Sequence, residues 1–180
     1  MIRLRNCAVV FAAIAVCSVL TCAQDKSKRP SPPGSAECKF ADGKTVHIDY
    51  SRPSVKGRKI YGGLVPYDKE WRTGANEATT FVANTNLEVG GTKVPAGNYT
   101  LFTVPSQKQW TLIISKKTGE WGIPYPGKSE DQARVPMRSE ELSSPVEQFT
   151  ISFERTAPEA CTLRMDWETT RAEVNVREQR

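Results

Sequence analysis

The sequence holds a single histidine, His47, among 180 residues. That scarcity removes the zinc sites built from clustered histidines and cysteines. Cysteine is nearly as sparse. Of the five, Cys7, Cys17 and Cys22 stand near the N-terminus, leaving only Cys38 and Cys161 for the rest of the chain. No apolar run reaches the ~20 residues of a membrane-spanning helix. No stretch of useful length repeats its apolar residues at the 3.6-residue helical period. There is no G-x-S-x-G nucleophile turn, no phosphate-binding loop and no dinucleotide fingerprint. Neither a metal nor another cofactor is expected. The formal charge of +5 is modest and partly N-terminal, so nucleic acid is not an expected partner.

What is present begins with a leader. Arg3 and Arg5 precede an apolar run from Cys7 to Leu20, and TCAQDKSKRP then turns polar at once. This is the layout of a secretory signal. Small residues at Thr21 and Ala23 point to cleavage before Gln24, making 1–23 a signal peptide. The alternative reads VLTC as a lipobox with Cys22 as a lipidated N-terminus, the only route by which this chain is expected to meet a membrane. Either way the protein is expected to be exported, to the periplasm or beyond. QDKSKRPSPPGSA, 24–36, is polar and rich in Pro and Ser and reads as a flexible linker. Residues 37–180 read as one domain.

Within that domain the pattern is alternation. Cys38 and Phe40, a turn at Asp42-Gly43, then Val46, Ile48 and Tyr50 form a hairpin signature. LEVGGTKV reads as a second, tight hairpin about Gly90-Gly91. NYTLFTVP and WTLIIS are apolar on both faces and read as central strands. KKTGEWGIPYPGKSED is a long loop, ARVPM a short edge strand because of Pro136, and EELSSP a single helical turn. EQFTISFER and CTLRMDWET alternate again. Short strands with turn signals between them predict an all-β, antiparallel β-sandwich of jelly-roll-like form. Cys161 shares its face with Leu163, Met165 and Trp167, and Cys38 shares its face with Phe40. Two inward cysteines in an oxidising compartment are expected to pair; the alternative is two buried thiols.

Four blocks carry a family resemblance: YSRPSVKGRKIYGGLVP, WRTGANEATTF, VGGTKVPAGNYTLFTVP and WTLIISKKTGEWG. Together they resemble the bacterial domain of unknown function 2911 family. The resemblance implies an exported bacterial protein with a mostly β domain, and it implies no reaction. Asp68 and Glu70 depart from the pattern, and the Cys38–Cys161 pair is not carried over from it.

The block EWRTGANEATT holds the densest polar chemistry. Gly74 opens backbone conformations closed to other residues, and Asn76 tolerates left-handed geometry. RTGAN is therefore expected to bend sharply before a strand and to present Arg72, Asn76 and Glu77 together. With Trp71 as a platform and Trp121 and Tyr125 from the long loop, these residues suit a glycan or a short peptide. The alternative is structural: Arg72 pairs with Glu77 and Trp71 fills the core. Arg52, Lys56, Arg58 and Lys59 form a basic loop that would take a polyanion or simply be solvated. The leading expectation is a non-catalytic binding module for a glycan, peptide or envelope component. The competing readings are a hydrolase using Glu77 with Asp49 or His47, and a structural adaptor. Oligomeric state is not legible.

The leader predicts a chain that starts at Gln24, or at a lipidated Cys22, when recovered from its native host. Mass spectrometry of the N-terminal peptide checks this, and an intact Met1 on the bulk of the protein is the contrary result.

Overall fold

The structure, a computed structural model, describes residues 29–179. The expected signal peptide, Cys22 and the first residues of the expected linker lie outside the described residues. Nine strands follow: β1 (Pro33–Lys39), β2 (Thr45–Ser51), β3 (Thr79–Ala83), β4 (Leu87–Val89), β5 (Thr92–Val94), β6 (Gly97–Val104), β7 (Trp110–Ser115), β8 (Asp131–Ala157) and β9 (Ala160–Glu178). Among the described residues the fold is all-β, as expected, with a short 3₁₀ turn at Lys128–Glu130. Among the described residues no helix is long and apolar enough to cross a membrane.

The strands form one antiparallel sheet in the order β1-β2-β3-β6-β7-β8-β9-β4-β5. Its two layers arise because this sheet doubles back on itself. β8 pairs with β7 through Met137 and with β9 from Arg138 onward. The chain after β2 reaches across to β8: Phe149 N–H donates to Pro53 O at 2.9 Å and Val55 N–H to Glu147 O at 2.8 Å. The Tyr50 hydroxyl accepts from the Ile151 amide at 2.9 Å. Cys38 on β1 and Cys161 on β9 form a disulfide, with Cα atoms 6.4 Å apart. Both cysteines are buried, as their parity requires.

Each hairpin forms where its turn residues stand. β1 and β2 pair about Asp42-Gly43, and β4 and β5 about Gly90-Gly91, both glycines there taking positive φ. β6 and β7 are buried on both faces. Leu101, Leu112 and Ile114 face the main core. On the other face the 116–127 loop covers the sheet, and Tyr125 packs edge-on against Phe102 at 5.2 Å.

Three local expectations are corrected. β1 begins at Pro33, so Pro33–Ala36 of the expected linker are strand; a proline is tolerated there because β1 is an edge strand. ARVPM is not a short edge strand but the start of the 27-residue β8. Pro136 is tolerated where β8 pairs with β7 alone, pairing with β9 starting at Arg138, because the strand has no second ladder there to break. EELSSP is not helical. It is the stretch of β8 where the ladder to β9 slips, between Glu141 and Val146 and again before Thr150.

The disulfide closes 123 residues, and constraining so long a loop in the unfolded chain is worth about 4 kcal/mol by the chain-entropy argument. Replacing both cysteines by alanine is expected to lower the urea midpoint accordingly. An unchanged midpoint would mean the cross-link adds nothing to stability.

Candidate functional site

The bend from Trp71 to Glu77 crosses the end of β6. Trp71 and Thr103 exchange both backbone hydrogen bonds, at 2.8 Å each. Beyond it the chain takes positive φ at Thr73, Gly74 and Asn76, the strained geometry that RTGAN anticipates. The Thr73 and Thr103 hydroxyls meet at 3.2 Å, and Thr79 Oγ1 donates to Thr73 O at 2.7 Å. Trp71 Nε1–H donates to Gly74 O at 3.1 Å, closing the bend on itself.

Trp71 turns its ring inward. It stacks on Trp167 of β9 with centroids 5.7 Å apart and meets Phe149 edge-on at 5.0 Å. Together Trp71 and Trp167 line a cleft of about 320 Å³, walled by Leu64, Val65, Ile123, Arg58 and Arg72. Leu64 and Ile123 are 48% and 67% exposed, although apolar. Arg58 is held on its own loop, donating to Val55 O at 3.0 Å and Ser54 O at 2.6 Å. Arg72 has one long hydrogen bond, to Trp121 O at 3.4 Å, and lies 5.8 Å from the Trp121 ring centroid. Burial pushes its guanidinium down from its ordinary pKa, and among the described residues it pairs with no carboxylate.

The remaining expected residues disperse. The alternative Arg72–Glu77 ion pair does not form. Glu77 instead accepts from Arg29 Nη1 at 2.8 Å through both oxygens. Asn76 donates to Ser31 O at 2.9 Å and to Ser51 Oγ at 3.1 Å, so its amide anchors the incoming chain. Glu77 and Asp49 line a neighbouring hollow of about 360 Å³. His47 stands on the outer face of β2, with Nε2 3.0 Å from Asp49 Oδ1. Trp121, 55% exposed, lines a third hollow with Gly122 and Pro126, and Ile123 borders both this hollow and the Trp71 cleft. Tyr125 is occupied elsewhere, donating to Asp131 Oδ1 at 2.5 Å with Arg134 close by. Burial, and then that carboxylate, push its phenol well above the ordinary range.

The basic loop divides as well. Arg52 is latched across the fold to Phe149 O at 3.2 Å and Thr150 Oγ1 at 3.0 Å. Lys56 and Lys59 are exposed. Only Arg58 joins the cleft. Among the described residues no group of three or more metal-ligating side chains is assembled.

The family described as Protein of unknown function (DUF2911) matches residues 31–176. The chain belongs to this family. No curated protein and no solved structure gives a significant match. The DUF2911 span takes in the whole bend, both tryptophans of the cleft and the loop bearing Ile123, while Arg29 stands just outside it. Leu64, Val65, Ile123 and Trp167 of the cleft escape sequence reading. Leu64 lies in IYGGLVP, where nothing marks it as exposed. Trp167 reads as an ordinary inward strand residue, and only the doubled-back sheet sets it under Trp71.

A Cβ at Gly74 would lie 2.9 Å from Ser51 O and 3.2 Å from Thr79 Oγ1, at a φ of +154°. Gly74→Ala is expected to cost about 1–3 kcal/mol, read as a lower melting temperature. An unaltered melting curve would show that the bend relaxes freely.

Proposed function

We propose that this DUF2911 protein is an exported, non-catalytic binding module. Its Trp71–Trp167 cleft takes a ligand with an apolar body and a carboxylate, such as the free C-terminus of a peptide ending in an apolar residue. One observation carries this reading: a half-buried guanidinium, Arg72, that pairs with no carboxylate among the described residues, beside an aromatic floor. Removing a cation from water is costly without a partner, and a carboxylate meets a guanidinium through two parallel hydrogen bonds. The apolar walls at Leu64 and Ile123 would be covered by the ligand's apolar part. Few hydrogen-bonding side chains line this cleft, which disfavours a sugar in it.

The hydrolase reading has one observation in its favour, the shared hollow of Asp49 and Glu77 with His47 bonded to Asp49. Asp49 is 65% exposed and His47 37%, so that group stands in water rather than in the dry pocket that acid–base catalysis by carboxylates uses.

Binding is read by quenching of tryptophan fluorescence with short peptides ending in Leu or Phe, as free acids and as amides. The free acids are expected to bind at least tenfold more tightly, and Arg72→Gln to erase that difference. Long-chain fatty acids in the same assay separate a peptide from a lipid source of the same chemistry. Equal binding of acids and amides, or of wild type and Arg72→Gln, overturns the proposal.

A further inference from the structure

A second cleft lies beyond the same aromatic wall. Tyr61 touches Trp71 at 6.4 Å and Trp167 at 6.2 Å, and also meets Trp110 at 4.8 Å. Tyr61 and Trp110 in turn line a cleft of about 300 Å³ whose other walls include Tyr67, Gln107, Glu141 and Thr170. The wall is thus continuous, with one mouth at each end. The first mouth is apolar and cationic. The second is rich in hydroxyl, amide and carboxylate groups.

The Tyr61 hydroxyl marks this second mouth as built. The side chain is only 5% exposed, yet among the described residues its hydroxyl has no hydrogen-bond partner. It is not sealed in the core, because among the described residues no fully buried side-chain oxygen lacks a partner. It therefore opens into the cleft its residue lines. Burial, and then the charge of Glu168, push its phenol well above the ordinary range, so it stays a neutral donor.

The backbone is shaped to the same end. The β8–β9 ladder pairs Glu141 with Thr170 and then slips. At the slip Glu168 takes a φ of +55°. Such bulges re-aim side chains beside sites. Glu140 is spoken for, with Arg138 at 3.3 Å and Arg171 at 3.8 Å. Glu141 has no cation among the described residues. On the opposite side, Tyr67 is pressed against Gly62, where a Cβ would come within 2.7 Å of its ring.

We infer that the Tyr61 cleft is a separate binding site for a neutral carbohydrate. The Tyr67 ring offers a surface to the C–H face of a sugar. Glu141 accepts from sugar hydroxyls, Tyr61 donates to them, and Gln107 and Thr170 do both. Glu141, with no cation beside it among the described residues, repels an anionic ligand, so this site and the Arg72 cleft select opposite chemistries. The inference does not rest on the reading of that first cleft.

The test is an array of neutral oligosaccharides built from glucose, galactose and N-acetylglucosamine, followed by titration of the best binder. Tyr61→Phe removes one oxygen and leaves the ring packing, and Gln107→Ala alters an exposed turn. Each is expected to weaken saccharide binding at least fivefold with an unchanged melting temperature. Amidated and free-acid peptides are expected to leave saccharide affinity unaltered, which separates failure here from failure at the Arg72 cleft. Absence of saccharide binding overturns the inference. So does binding indifferent to both substitutions, or a preference for quaternary ammonium ligands over sugars.

Discussion

The contact on which the rest of the structure depends is the stack of Trp71 on Trp167. Trp71 belongs to an irregular bend and Trp167 to the last strand, and the sheet order keeps their parent segments far apart in the hydrogen-bonded ladder. Their meeting requires the sheet to double back, and burying two indole rings rewards that closure. Phe149, Tyr61 and Trp110 extend the stack into a wall across the interior. The bend must then hold its strained φ angles to keep Trp71 inward, which explains why Trp71, Thr73 and Asn76 are held by Thr103, Thr79, Ser51 and Ser31. The strain and the hydrogen bonds belong to one device.

What the sequence discloses follows from how local each cause is. The hairpins at Asp42-Gly43 and Gly90-Gly91 are legible because turn chemistry acts within a few residues. The inward parity of Cys38 and Cys161 is legible because strand periodicity is strict, and it carries the disulfide with it. The apolarity of both faces of NYTLFTVP and WTLIIS is also legible, but its cause is not. The second face is covered by the 116–127 loop through Tyr125, a pairing set by tertiary structure. The long β8 is the least legible element. Pro136 and SSP at 143–145 interrupt any single-strand pattern, and they are tolerated only because β8 changes partner at one and slips register at the other.

The site divides the same way. Trp71 and Arg72 stand in one cleft as an aromatic and a cation on adjacent residues of a bend. The sequence pattern predicts Asn76 and Glu77 beside them, but the chain at 29–31 engages both. That segment reads as featureless linker, since nothing in RPSPP announces a contact with residues so distant in sequence. Leu64, Ile123 and Trp167 reach the cleft from three separate segments, and the Tyr61 cleft likewise draws on four. Convergence of this kind is a property of the topology, not of any one stretch of chain.

The disulfide also changes what a cut in the backbone does. Any single break between Cys38 and Cys161 leaves two fragments still joined through sulfur. The loop carrying the exposed Trp121 and Ile123, the kind of surface segment that proteases favour, lies inside that span. Nicked molecules would therefore stay covalently joined until a reductant reached them. In an oxidising compartment, that would amount to tolerance of surface damage.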